Sequence, residues 1–262
     1  MKRLLSILLL VATVVPAMQA QIVRSTTLGE KQSRKTTWYV RAGLSMNNLT
    51  GPAMSEAKKA IKEYKEDGED CSFGTRVGYD FEAGFMKYFG KTNLYWGMEF
   101  GLGTRGGKYR GKYTESSEGY SHTDDDRAWV DTYSIKYMPF QLGYMYPVTD
   151  KIKVDAHIGV YVSVDFAGKC KEKDECNMWS ADSGSEVNVD EYEYNFDDQY
   201  VGGKRFDAGM QLGAGVWYDR FNLNFTWQRG FAPYIESFPF GDSWNGKSFQ
   251  SSNIILSLGV SF

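Results

Sequence analysis

Long apolar runs are almost missing from this chain of 262 residues. Residues 4–15 form one, broken by Ser6 and Thr13, and it is short for a membrane helix of ~20 residues. A mean hydropathy of −0.45 excludes a polytopic helical membrane protein. Charge of one sign is also missing. Thirty Lys and Arg stand against 33 Asp and Glu, a net charge of −3. That balance excludes a nucleic-acid protein held by phosphate contacts. Proline is scarce at 6, cysteine at 3 and histidine at 2. What is present is 28 Gly and 16% aromatic residues. Disordered chains are poor in aromatics, so the chain is folded, and an aromatic-rich, Pro-poor composition points to β structure.

The first twenty residues read as a secretory signal peptide. Lys2 and Arg3 precede the apolar core, and Pro16 to Ala20 supply a cleavage region ending at Ala20. No Cys follows for lipid attachment. Removal takes two bases and no acid, so the mature charge is 28 − 33 = −5. Residues 21–37 are polar and basic, a periplasmic tail without a domain of its own.

From residue 38 to 262 the chain alternates with period 2, the signature of strands. Between 152 and 166 the even positions include Val154, Ile158, Val160, Val162, Val164 and Phe166, and the odd ones Asp155, His157, Ser163 and Asp165. Seven further segments behave alike, near 38–44, 77–85, 94–103, 138–146, 206–218, 221–228 and 253–262. Ile135 is out of phase with Met138, Phe140 and Leu142, so a bulge is expected near Tyr137 or Pro139. Connections alternate between short (90–93, 147–151, 219–220) and long (46–74, 107–131, 167–204, 230–251). The pattern predicts an all-β fold: an eight-stranded antiparallel up-and-down transmembrane β-barrel with long extracellular loops. Such a chain sits in the outer membrane of a Gram-negative cell, with both termini periplasmic and outer-membrane lipid as its first partner. The small residues Gly101, Gly103, Gly209, Gly213 and Gly215 lie on the polar face, as a narrow interior requires, so the apolar face meets lipid.

Four stretches carry a family resemblance: 137–144 (YMPFQLGY), 154–161 (VDAHIGVY), 206–216 (FDAGMQLGAGV) and 256–262 (LSLGVSF). With them the sequence resembles the PorT-like outer-membrane β-barrel family of Gram-negative envelopes. The resemblance implies a barrel in the outer membrane and, as one role, a component of an envelope protein-secretion or assembly machine.

The polar face predicts a lumen charge network of Arg41, Arg76, Asp80, Glu82, Glu99, Arg105, Lys136, Lys153, Asp155, His157, Asp165 and Asp207. Charges confined in a narrow barrel pair with one another, so the network reads as a structural plug rather than an ion path. Gly101 to Gly106 formally match a dinucleotide fingerprint, but those glycines lie in a strand and open no helix. His122 before Asp124, Asp125 and Asp126 lacks calcium-loop spacing and reads as a solvated acidic loop, although a cation there stays open. Ser121 is the one serine beside it for a rim enzyme site. Cys170 and Cys176, in one loop of an oxidising compartment, are candidates for a disulfide, with Cys71 left over. No pair of His completes a zinc set around the cysteines.

Residues 167–204 hold four Lys and ten Asp or Glu, net −6. Within them Trp179, Asp190, Glu191, Tyr192, Glu193, Tyr194, Phe196, Asp197 and Asp198 form the candidate partner-binding loop. Residues 52–66 carry Ala57, Ile61 and Tyr64 at helical spacing, a short helix to cap the barrel mouth. The expected function is structural or surface-binding, through the loops, with no enzyme activity, no cofactor, no metal and no nucleic acid. A protein partner would meet the extracellular loops or the rest of a secretion complex.

Overall fold

The computed structural model describes residues 36–66, 69–90, 92–182, 184–238 and 246–262. The signal peptide and nearly all of the tail lie outside the described residues. In chain order the elements are β1 (Thr37–Thr50), α1 (Pro52–Glu66), β2 (Asp70–Gly74), β3 (Arg76–Tyr88), β4 (Leu94–Ser117), β5 (Tyr120–Pro147), β6 (Ile152–Ser180), β7 (Gly184–Asn195), β8 (Phe206–Tyr218), β9 (Phe221–Gly230) and β10 (Gln250–Ser261).

Eight strands close a ring in the order β4, β3, β1, β10, β9, β8, β6, β5, and β5 returns to β4. All pairings are antiparallel, and the closing pair runs from Tyr39 against Ser261 to Thr50 against Gln250. Closure removes every free edge from the ring. The fold is the expected all-β barrel, and its outside is apolar. Val77 is 70% exposed and Leu258 67%, whereas Ser163, Asp165 and Asp207 on alternate positions are at most 2% exposed. Small residues make room for the large ones opposite them. Gly213 pairs with His157, and a Cβ at Gly213 would stand 2.1 Å from the His157 Nε2.

The bulge expected in β5 is present: the register shifts between Tyr137 and Phe140. Pro139 is the extra residue, since it cannot donate to the ladder. The shift turns Met138 into the lumen, where it is 4% exposed, and corrects its placement on the outward face. A second shift skips Phe166 on β6, between Tyr133–Ala167 and Ser134–Asp165. Beyond it the inward positions of β6 become even-numbered. The alternation that reads as ending at Phe166 therefore changes phase, and the strand continues to Ser180.

Two long connections are thus strands rather than loops. Residues 107–131 form the upper parts of β4 and β5, joined at Glu118 and Gly119, and within 167–204 the end of β6 and all of β7 reach to Asn195, with a turn-rich connection from 196 to 204. The helix expected at 52–66 is α1. Its buried residues are Ala53, Met54 and Ala57, while Tyr64 is exposed. They join Leu49, Ala128, Val130, Cys170, Phe196, Val201, Tyr234, Ile235, Phe238 and Phe249 in an apolar stopper at one end of the barrel. At the other end, beside the short turns, Tyr39, Met86, Tyr95, Met145 and Trp217 form a second stopper.

Candidate binding site on the hairpin sheet

Between the stoppers the lumen charges sort into three groups. Near the middle, Arg41 pairs with Glu99, and with Glu82 at 3.6 Å, while Lys136 pairs with Asp80, and with Glu82 at 3.8 Å. Toward the long hairpins, Arg105 grips Asp165 through two bonds of 3.1 and 2.5 Å and Asp207 through one of 2.6 Å. Its guanidinium lies 4.5 Å from the ring centre of Tyr234, the base of the stopper. Toward the short turns, Asp155 accepts from Tyr95 at 2.8 Å and Trp217 at 2.7 Å and meets His157 Nδ1 at 2.8 Å. The cavity among Glu82, Glu99, Lys136 and Tyr161 measures about 10 Å³, room for one water at most.

Ten of the twelve residues assigned to this network are buried in the lumen. Two are not. Lys153 is exposed, because the first inward position of β6 lies at the rim of the barrel, beside the short turns. Arg76 is only half-buried and pairs with Asp131 above the lumen. Sequence reasoning missed the neutral half of the plug. Gln141, Gln211, Gln228, Asn222, Asn224 and Thr226 fill inward positions, signalled by the same alternation.

Beyond the barrel, β2, β4, β5, β6 and β7 form a five-stranded sheet. Residues directly opposed across strands share a face, so the register defines two faces. One bears Tyr113, Asp124, Cys176 and Asn188 in one row and Gly111, Asp126, Asp174 and Asp190 in the next. Below them come Ala128, Val130 and Cys170 of the stopper, so this face is the inner one. The outer face bears Lys112, Asp125, Glu175 and Val189, then Arg110, Arg127, Lys173 and Glu191.

Charge is segregated between the faces. Inner positions of β5, β6 and β7 hold His122, Asp124, Asp126, Glu172, Asp174, Glu186 and Asp190 and no Lys or Arg; the bases are all outside. Outside, acids are matched. Arg110 and Arg127 both donate to Asp125, and these bonds hold its carboxyl well below the usual carboxylate range. Bonds from Lys169 and Lys171 lower Glu193 to about 2. Inside, burial, then Asp174 and Asp124, push Asp126 up to about 6.

At the inner rim three donor atoms of different chemistry converge. His122 Nε2 lies 2.8 Å from Asp124 Oδ1 and 3.5 Å from Cys176 Sγ, and the three donors fall within 4.8 Å of one another. The Tyr120 hydroxyl meets the other ring nitrogen at 3.2 Å. Of the acidic run beside His122, only Asp124 shares this cluster. Asp125 turns outward to the arginines, and Ser121, one residue from His122, also lies on the outer face. The Cys170–Cys176 bridge is corrected. Both sit on β6 six residues apart, about 20 Å along an extended strand, and a disulfide spans at most ~7 Å between Cα atoms. Cys71, Cys170 and Cys176 are free thiols.

The candidate partner-binding loop divides in the same way. Trp179 and Tyr192 are each 47% exposed. Asp190 lies inside, while Glu191 and Glu193 pair outside with lysines. Tyr194 packs partly against the stopper. Phe196 is fully buried within it and is removed from the loop's contact surface. Asp197 binds Arg205, and Asp198 accepts the Tyr200 N–H at 3.1 Å to close a turn. Val187 and Val189, which the alternation of β7 could have flagged, are about half exposed. β7 pairs only with β6 among the described residues, so its other edge is open.

A family model described as "Outer membrane protein beta-barrel domain" matches residues 19–236. The chain belongs to this family. Among solved structures, the outer-membrane barrel is similar to Ail, the attachment invasion locus protein of Yersinia pestis, in complex with the heparin analogue sucrose octasulfate. The two are 10% identical over 87% of this chain and 99% of that one, with a TM-score of 0.30. It is also similar to Neisserial surface protein A, at 11% identity over 87% and 100% of the two chains, with a TM-score of 0.35. No curated protein matches the chain. The outer-membrane barrel crosses the bilayer on its strands, and no described helix is long and apolar enough to cross. Its apolar band includes Leu44, Phe81, Phe100, Ile135, Val160 and Leu256, each at least half exposed to the lipid side.

Proposed function

We propose that this outer-membrane barrel is a surface-binding protein whose recognition element is the hairpin sheet on the extracellular side. The observation that carries the reading is the sheet itself. It carries three barrel strands, β4, β5 and β6, beyond a barrel whose lumen is stoppered at both ends, adds β2 and β7 at its sides, and offers an open β7 edge with Val187, Val189 and Tyr192 half exposed. An open edge flanked by apolar side chains suits an extended partner segment added as a further strand. The reading is binding rather than catalysis: the histidine–acid pair of the lumen, His157 and Asp155, is sealed behind both stoppers. The test is photocrosslinking in intact cells from Val187, Val189 and Trp179. The reading expects one protein partner crosslinked from β7, and protection of the sheet from added protease only where that partner is present. Cleavage of the sheet from the periplasmic side, or crosslinks confined to the barrel wall, would overturn it.

The PorT-like resemblance supports a second reading, a subunit of an envelope secretion or assembly machine. The filled lumen favours a scaffold role over a conduit in that setting. Reconstituted protein should then pass no steady porin-sized current.

A further inference from the structure

We propose that His122, Asp124 and Cys176 form a binding site for a divalent transition-metal ion of the zinc class on the inner face of the hairpin sheet.

The strands build the site. Asp124 and Cys176 are directly opposed on β5 and β6, and His122 stands two residues from Asp124 on the same face. One imidazole, one thiol and one carboxylate are therefore presented together by the ladder, without any loop to order. The distances suit zinc. Zn–N bonds of about 2.0 Å and Zn–S bonds of about 2.3 Å in a tetrahedron place nitrogen and sulfur about 3.5 Å apart. His122 Nε2 and Cys176 Sγ are 3.5 Å apart already. The carboxylate oxygen at 2.8 Å from Nε2 needs to open by only a few tenths of an ångström. The Tyr120 hydroxyl at His122 Nδ1 is the kind of tether that fixes the ring of a metal-ligating histidine.

The donor set selects the metal. A thiol and an imidazole suit zinc and its neighbours, while calcium takes six to eight oxygens. The surrounding charge favours a cation. Asp126 and Asp174 occupy the next row, Glu186 lies on the neighbouring strand opposite Met178, and no Lys or Arg shares this face on β5, β6 or β7. The side chains of His122 and Asp124 are 24% and 37% exposed, so an ion can enter from the medium and a fourth position stays open to water. The only other histidine, His157, is sealed in the lumen against Asp155.

The experiment uses the full folded chain in detergent micelles with its thiols reduced, and cobalt(II) as the probe. Titration should saturate at one ion per chain. It should raise a near-ultraviolet thiolate-to-cobalt charge-transfer band, which zinc then displaces. Cys176→Ser should remove the band, and His122→Ala should shift the visible bands and abolish saturation. Cys71→Ser should leave both intact. The heat-modifiable gel shift of each variant shows that it is folded. A folded wild type that binds no cobalt saturably, or a folded Cys176→Ser that keeps the charge-transfer band, would overturn the proposal.

Discussion

Along β5 the outward-facing side chains change character while the strand continues. Near the short turns they are Tyr144, Leu142 and Phe140, then, past the bulge, Ile135 and Tyr133; farther along they are Arg127, Asp125 and Thr123. The inward side changes in the opposite sense. It passes from the polar lumen residues Lys136, Ser134 and Thr132 to the apolar Val130 and Ala128, then to Asp126 and Asp124. One continuous ladder thus meets lipid outside and a polar plug inside in its lower part, and water outside above. The lesson is that the backbone does not mark the membrane boundary; the outward side chains do.

The largest effect should come from the barrel's interior. Arg105→Met strands Asp165 and Asp207, both buried, and should cost about 3–5 kcal/mol. Urea unfolding in micelles, followed by the gel shift, would register it. An unchanged midpoint would mean that water reaches the lumen.

Next is a matched pair of outward arginines. Val160→Arg puts a charge into lipid at about 2–4 kcal/mol near the midplane. Thr123→Arg, outward on the hairpin sheet, should lie within about 0.5 kcal/mol of wild type. Equal costs would erase the comparison between the two regions.

Phe196→Ala empties the centre of the upper stopper, and because the lost packing lies outside the lumen, the barrel's own unfolding midpoint should move less than with Arg105→Met or Val160→Arg. The loss should fall on the docking of the hairpin sheet and α1. Limited proteolysis should cut the sheet faster while the barrel keeps its gel shift.

The smallest effect belongs to Glu193. Its carboxyl is lowered to about 2 by Lys169 and Lys171, so the stabilisation is present above pH 4.5 and is lost as pH falls toward 2. Hydrogen exchange in β7 should rise slightly over that window in wild type and stay flat in Glu193→Gln. High salt should shrink the difference.

Much of this was legible from period-2 alternation. Strand number, the outward face and ten lumen charges follow from it, because one face of each spanning strand is forced to be apolar. What escaped has particular causes. A skipped residue at Phe166 flips the phase, so β6 reads as ending where it bends. The hairpin sheet has polar side chains on both faces, so alternation by hydropathy vanishes there although the ladder persists. Phe196 looks like one more aromatic in an acidic loop, because burial against Tyr234 and Phe238 depends on chain segments far away. The sequence offered His122 and Asp124 as a cation candidate but not Cys176, for the same reason: Cys176 lies 54 residues from His122, and only the β5–β6 register brings them together.

The central claim is that the membrane ends partway along continuous strands. Spin labels at outward positions Thr123, Arg127, Tyr133, Ile135 and Leu142 of β5, in the reconstituted barrel, test it most directly by power saturation with oxygen and a nickel chelate. The account predicts that the chelate dominates at Thr123 and Arg127, oxygen dominates at Ile135 and Leu142, and the crossover falls near Tyr133. Chelate access at all five positions, or oxygen dominance reaching Thr123, would contradict it.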